Sequence, residues 1–485
     1  MMKIRVTPTI PEGVKVSLVL DYEQKELPAY LTAEQKTELT EAEFSFKKGQ
    51  SYSFIQKDEN GRVDIIFAGL GEEEKFEPEN LRKAVAKSIR SAAGFKPITA
   101  VALTRFPLFE ARQLFGRIVA EAVILATYKY EKFLTKKKES NLTDVYIISE
   151  KNAELEKGIE EGIALGDATN FARELVNDPA NVVTPTELAK RSVDAGKKYG
   201  FEVEVKDKDH IIENKMDAFW SVAKGATEEP KLIIMRYKGD PSSDKIFGLI
   251  GKGLTYDSGG YCIKTAGGMF TMKADMGGSA AVIGAMCAIS QLKPKINITT
   301  IVAACENMIS GDAYRTGDII GSMAGKSIEV VNTDAEGRLT LVDAVHYAIE
   351  KEKVYGLLDI ATLTGAQVVA LGTVASGVVT NDELLLEALE SASEISGEKI
   401  WPLPNFEEYK ELLKSDFADL KNVGGREAGT ITAGMFIEEF VQGLPWIHID
   451  MAGLALSPKV KDYTPSGATG WGVRIITALV ENLAL

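Results

Sequence analysis

Ile328-Glu329-Val330-Val331-Asn332-Thr333-Asp334-Ala335-Glu336-Gly337-Arg338-Leu339 carries two carboxylates and a guanidinium within five residues, directly behind an apolar stretch. The pattern reads as a strand ending and a helix beginning, the position at which open α/β sheets place their chemistry. Asp334 and Glu336 stand two apart, and at an extended strand end that spacing lets both side chains point the same way. Upstream, Lys252, Asp257, Lys264 and Asp275 form a second polar cluster, which starts where the apolar run Ile246 to Ile250 ends. Two such clusters can converge on one site.

Outward from these clusters the chain alternates. Lys231 to Tyr237, Lys245 to Ile250, Ile298 to Ala304, Ile328 to Val331 and Val354 to Ala361 read as strands, with helical patterns over Gly278 to Leu292 and Leu339 to Glu350. Strands alternating with helices of this length predict an α/β fold whose central sheet is mainly parallel and flanked by helices. The first 150 residues alternate as well (strands Val16 to Leu20, Val63 to Phe67 and Val145 to Ile148; helices Glu79 to Ala93 and Glu110 to Tyr128) but hold no catalytic constellation. A helical segment runs from Ala153 toward Leu175, followed by Asn177-Asp178-Pro179 and Thr184-Pro185. The expected organisation is therefore a smaller N-terminal α/β domain over 1–150, a connecting helix over 151–178 and a larger C-terminal catalytic α/β domain over 179–485.

A chain of 485 residues is too long for one ordinary core. Hydrophobic content of 45% and charged content of 26% match a globular protein. The formal net charge of -14, from 70 acidic against 56 basic residues, argues against partners that attract cationic surfaces, nucleic acid and anionic membrane among them. The N-terminal run Met1 to Pro8 lacks the apolar core of a signal peptide, and no run reaches the length of a membrane span, so a cytoplasmic location is expected. Cys262, Cys287 and Cys305 lack CxxC spacing and are expected as reduced core thiols. His210, His346 and His448 lie far apart, which disfavours an imidazole zinc site.

Asp257, Asp275, Asp334 and Glu336 together would be costly to bury without cations, which implies a site for one or two divalent metals. Lys252, in Gly251-Lys252-Gly253, could bind phosphate, pair with the carboxylates or serve as a neutral amine ligand. Lys264 follows Gly259-Gly260, where glycines permit close approach to a ligand; it reads as an oxyanion stabiliser or a plain ion-pair partner. Gly321 to Ser327 resembles a phosphate loop, but it has three residues between its glycines where four are needed and leads into a strand, so nucleotide binding is rejected. His448 alternates within a strand pattern and reads as a hydrogen-bonded core histidine. Lys136-Lys137-Lys138 and Glu72-Glu73-Glu74 read as solvated faces.

Asn332 to Leu339 resembles the signature of the leucyl aminopeptidase family (cytosol aminopeptidases), dinuclear metallo-exopeptidases. The resemblance extends through Gly251-Lys252-Gly253-Leu254-Thr255-Tyr256-Asp257-Ser258-Gly259-Gly260, Met272 to Gly278, Asp359-Ile360-Ala361-Thr362-Leu363-Thr364-Gly365-Ala366 and Ala468 to Arg474, most of residues 170 to 485; before residue 150 it is looser. It implies one metal held by Lys252, Asp257, Asp275 and Glu336, and another by Asp257, Asp334 and Glu336. Zn²⁺ or Mn²⁺ would fit, with Mg²⁺ or Co²⁺ also compatible. The pair would bind the α-amine of a short peptide with a free N-terminus, polarise the scissile carbonyl and hold a bridging hydroxide. Lys264 would contact the developing oxyanion, and Arg338 would hold a bicarbonate ion as proton shuttle.

Met272, Thr362, Leu363, Gly365 and Ala452 would form a pocket favouring apolar first residues such as leucine. Ala455 stands where some relatives have methionine, which implies a roomier pocket. Thr265 replaces a common proline, and with Gly267-Gly268 it puts the rigidity of the Lys264 loop in question. A homohexamer, a dimer of trimers, is expected, without membrane or nucleic-acid partners. Alternatives from other classes are a DNA-binding accessory role of the hexamer and hydrolysis of non-peptide amides at the same site.

Overall fold

The computed structural model describes residues 2–58, 61–94, 99–107, 111–137 and 142–485. Met1, Glu110, where a helix was expected to begin, and Lys138 of the lysine run lie outside them. The chain divides into two compact units, Met1–Asp167 with Pro458–Ser466, and Ala168–Ser457 with Gly467–Leu485.

In the first unit six strands, β1 (Lys3–Thr7), β2 (Val16–Asp21), β3 (Ser51–Asp58), β4 (Gly61–Gly69), β5 (Ala100–Arg105) and β6 (Asp144–Ile148), form one sheet in the order β1-β6-β5-β2-β4-β3. All neighbours pair parallel except β3 with β4. Val16, Leu18 and Leu20 pack in one core with Val101, Leu103, Val145 and Ile147 and with side chains of the helices Pro78–Gly94 and Arg112–Thr127. Such near-continuous apolar strands are what a helix-covered parallel sheet requires. The distant segment Pro458–Ser466 belongs to this unit, where the Tyr463 hydroxyl donates to Glu79 Oε1 at 2.9 Å. The helix Ala153–Asn177 is continuous, and the division between the units falls within it, after Asp167, rather than at residues 150 and 178.

The second unit carries β7 (Glu202–Lys206), β8 (Lys231–Lys238), β9 (Ile246–Asp257), β10 (Asn297–Asn307), β11 (Ile319–Ile320), β12 (Ile328–Glu329), β13 (Gly356–Ala361), β14 (Ser376–Thr380), β15 (Ile400–Pro402), β16 (Leu420–Lys421) and β17 (Trp446–Asp450). Its main sheet runs β15-β14-β17-β13-β9-β10-β8-β7, and the central four, β17, β13, β9 and β10, are mutually parallel. Antiparallel pairs lie outside them, at β17–β14, β10–β8 and β8–β7. The fold is thus α/β with mainly parallel sheets flanked by helices.

Two local expectations fail. The strand predicted to end at Ile250 continues to Asp257, so Lys252 lies inside β9 rather than after it. Its flanking glycines serve close packing, since a Cβ on Gly251 would lie 2.7 Å from Ser279 Cα in the covering helix, and one on Gly253 2.7 Å from the Ala303 carbonyl oxygen of β10. Ile328 to Val331 is also not a strand of the main sheet; only Ile328–Glu329 is extended, within a three-stranded sheet β11-β12-β16. Beyond it the Asp334 amide donates to Asn332 Oδ1 at 2.8 Å and the Ala335 amide to the Asn332 carbonyl. Asparagine closing on its own backbone makes a turn, which competes with the extended form assumed for Asp334 and Glu336.

Candidate active site

The C-terminal ends of the parallel strands converge. β9 ends on Asp257, β10 on Asn307, β13 leads into Thr362 and Leu363, and β17 leads into Ala452. Into this edge comes the turn carrying Asp334 and Glu336, at the start of the helix Gly337–Glu350. Gly337 is required there, because a Cβ would meet Lys252 Cε at 2.3 Å.

Lys252 Nζ lies 2.8 Å from Asp275 Oδ1 and 2.9 Å from Glu336 Oε1, and donates to the Thr362 carbonyl at 3.2 Å. Lys264 Nζ lies 2.8 Å from Asp257 Oδ2 and 2.5 Å from Asp334 Oδ1. Asp257, Asp275 and Glu336 are buried, while a third of the Asp334 side chain is exposed. One ligand atom each from Asp257, Asp334 and Glu336 lie within 4.8 Å of one another. Four carboxylates against two ammonium groups leave excess negative charge, and Asp275 Oδ2 and Glu336 Oε2 are buried without a hydrogen-bond partner. Burial, reinforced by the charge of Asp257, lifts the Glu336 and Asp275 carboxyls well above the usual range, and burial raises Asp334 too. Burial pulls Lys252 and Lys264 down, but the surrounding acids outweigh it and hold both above the usual lysine value. An oxygen-rich set with uncommitted lone pairs and surplus negative charge suits a hard divalent cation.

The cluster forms one wall of a cavity of about 760 Å³. Lys252, Asp257, Lys264, Asp275, Asp334 and Glu336 all line it, and so do Met272, Thr362, Leu363, Gly365 and Ala452. Ala455, Val368 and Leu456 extend the apolar part. Thr362 joins the two walls, its hydroxyl donating to Asp275 Oδ1 at 2.9 Å. The Lys264 loop is held at both ends. Gly259 adopts φ +85 where a Cβ would lie 2.8 Å from Asp334 Oδ1, and Thr265 caps a short helix by accepting from the Gly268 amide at 3.3 Å. The cap by Thr265 thus restrains the loop whose rigidity the sequence put in question.

Residues 170–477 match the profile of the "Cytosol aminopeptidase family, catalytic domain", and residues 13–137 that of the family's N-terminal domain. A "Probable cytosol aminopeptidase" of Clostridium perfringens (strain 13 / Type A) is 50% identical over 448 residues, 91% of this chain and 90% of that protein. The chain belongs to the cytosol aminopeptidase family. The "Probable cytosol aminopeptidase" of Clostridium tetani (strain Massachusetts / E88) is 45% identical across 97% of this chain and 99% of its own length. Among solved structures, "Bottromycin maturation enzyme BotP in complex with Mn" superposes with a TM-score of 0.87 at 30% identity, covering 98% of this chain and 100% of that one. Membership makes the protein a metal-dependent aminopeptidase, a hydrolase.

Against this cytosol aminopeptidase frame, Arg338 stands apart from the other predicted residues. It does not line the cavity; its Nη1 donates to the Asn422 carbonyl at 2.8 Å, its Nε is buried without a partner, and burial pushes its guanidinium down to about 10. Cys287 and Cys305 are buried free thiols, but Cys262 is half-buried and faces the cavity, because it lies on the loop that presents Lys264. His448 is fully buried, with Nδ1 2.5 Å from Asp359 Oδ1. Lys326 of the phosphate-loop look-alike pairs with Glu439 at 2.8 Å. No helix of the described residues is long and apolar enough to cross a membrane.

Sequence reasoning missed the supports. Asp450 accepts from the Leu363 and Ala452 amides at 3.1 and 3.2 Å and from the Thr364 hydroxyl, tying together the loops that wall the cavity. The signal available was an aspartate closing the otherwise apolar run of β17.

Proposed function

We propose that this aminopeptidase removes apolar first residues, leucine among them, from short peptides with a free N-terminus, using two divalent ions. The observation that carries the reading is the acid cluster with uncommitted oxygens at one wall of a cavity whose other wall is apolar. Asp257, Asp275 and Glu336 would hold one ion, with Lys252 as a neutral amine once the cation has displaced its proton, and Asp257, Asp334 and Glu336 the other, with Zn²⁺ or Mn²⁺ as the natural choices for such ligands. When bound, the ions supply Lewis acidity toward the scissile carbonyl and lower the pKa of a water.

The chain's own residues then have distinct tasks. Lys264 Nζ, already drawn toward the cluster, donates to the carbonyl oxygen as it gains charge. Met272, Leu363, Ala452 and Ala455 surround the first side chain, and Thr362 couples that wall to Asp275. Arg338, buried beside Glu336 and without an acid directly paired to it, offers a guanidinium that matches a planar bicarbonate ion. We further propose a cytoplasmic homohexamer, which light scattering of the purified protein would check.

The test uses metal-depleted protein reloaded with Mn²⁺ or Zn²⁺ and assayed on leucyl-amide and on N-acetyl-leucyl-amide. Activity on the free amine alone supports the reading. Equal activity on the acetylated compound would point to general amide hydrolysis, and no release of leucine in any metal form would refute it.

A further inference from the structure

Asn307 ends β10, fully buried and beside Asp257 at the end of β9. That adjacency is the product of an irregularity. The parallel register runs Cys305 against Leu254 and then Glu306 against Tyr256, passing over Thr255, so that Asn307 arrives level with Asp257. Irregularities of this kind commonly re-aim a side chain next to a site. Here the carboxamide is aimed between the two acid-bearing segments.

Both of its N–H groups are used. Asn307 Nδ2 donates to Asp257 Oδ1 at 2.8 Å and to the Thr333 carbonyl at 2.9 Å. Rotating the amide would turn its oxygen toward two acceptors, so the network decides the orientation. The Gly259 amide also donates to Asp257 Oδ1 at 2.8 Å, and with both donors in place the carboxylate presents Oδ2 toward Lys264. On the other side Tyr314 Oη donates to the same Thr333 carbonyl at 2.7 Å, and the Thr333 hydroxyl donates to the Gly259 carbonyl at 2.7 Å. Asn307, on the face opposite the charged bridge made by Lys264, is thus a neutral side chain that touches both Asp257 and the turn bearing Asp334. A neutral donor is the suitable choice, since an acid would add to the surplus negative charge and a lysine would cancel it.

We propose that Asn307 is a positioning residue that sets the separation between Asp257 and Asp334, and so governs the affinity of the divalent ion those two acids share. This rests on the two-ion reading above. The other ion shares Asp257 but is held as well by Lys252 and Asp275, whose contacts Asn307 does not touch, so its affinity depends on Asn307 less.

The test is a Mn²⁺ titration of the metal-depleted full chain, followed by calorimetry and by electron paramagnetic resonance, with circular dichroism confirming the fold. Wild type should bind two ions. Asn307→Ala should weaken one ion by ~10–100-fold, the size usual when a hydrogen-bond partner of a ligating side chain is removed, and shift the other by a clearly smaller factor. Tyr314→Phe, which loosens only the Thr333 end, should shift the same ion by a smaller factor and serves if Asn307→Ala does not fold. Unchanged affinities in the variant that folds, or a parallel fall in both, would overturn the proposal. Fewer than two ions bound by the wild type would instead overturn the two-ion reading itself.

Discussion

Two clusters of buried charge, one in each unit, have opposite characters. In the first unit Arg82 Nε lies 3.1 Å from Glu121 Oε1 and its Nη1 2.6 Å from Glu79 Oε2, while Tyr463 and Lys83 reach Glu79 Oε1. Among the described residues two acids meet two bases here, and every carboxylate oxygen has a partner. In the second unit four acids meet two lysines, and Asp275 Oδ2 and Glu336 Oε2 are buried without a hydrogen-bond partner. Buried ions survive only when paired and hydrogen-bonded. A balanced cluster completes a fold, whereas an unbalanced one is completed by a ligand. The difference distinguishes architecture from active site without reference to any relative.

The comparison breaks most visibly at Glu336. Glu336→Ala should abolish the metal pair and lower kcat/KM on leucyl-amide by ~10³-fold or more, several kcal/mol of lost transition-state stabilisation. The metal-free variant should be no less stable than metal-free wild type, since a repelled carboxylate has gone. Mass-spectrometric metal content, initial rates and urea melts would be read together; retained metal with retained activity would contradict the assignment. The mirror experiment is Arg82→Met, which takes the buried guanidinium away from Glu121 and Glu79 and should cost ~3–5 kcal/mol in urea unfolding of the first unit. Metal content should not change.

The parallel strands were legible because both their faces are buried, which leaves long apolar runs such as those of β9, β10 and β13. The acids were legible because their number has no cheap structural use. Three features were hidden for physical reasons. Gly251 and Gly253 looked like a loop, yet they are strand residues thinned for close packing against a helix and the neighbouring strand. Asp334 and Glu336 looked like an extended strand end, yet Asn332 folds the chain into a turn through its own side chain. Asn307 and the segment Pro458–Ser466 depend on register and on contacts hundreds of residues apart, which periodicity does not carry.

A buried acid outside both clusters sharpens the comparison. Asp343 pairs with no cation among the described residues; its oxygens accept from the Phe219 and Met323 amides at 2.9 and 2.8 Å. Burial, opposed by those hydrogen bonds and aided by Asp217, pushes its carboxyl up to about 7 from an ordinary 3.8. The folded state therefore holds the proton more tightly than the unfolded chain. Its stabilising contribution is complete below about pH 3.8 and is lost as the pH rises toward 7. Urea melts should show roughly 2 kcal/mol less stability at pH 8 than at pH 5 from this group. Asp343→Asn should flatten that slope while lowering stability at pH 5, because one of the two amides then faces an N–H₂ group. A slope identical to wild type would show that the solitary acid is not strained.

The smallest effect is expected on the uncharged wall, where no electrostatics is at stake. Ala455 lines the cavity beside Met272 and Leu363, and the methyl of an alanine leaves room that a longer thioether would fill. Ala455→Met should reduce kcat/KM for leucyl-amide relative to alanyl-amide by about tenfold, within the range that methylene-sized differences in an apolar pocket produce. Metal content should stay at the wild-type level, because the ion-bearing wall is untouched. An unchanged ratio would place the first side chain elsewhere in the cavity. A changed ratio with lost metal would mean that the two walls are not separable, and Thr362, bonded to Asp275 and lining the apolar pocket as well, would be the side chain that joins them.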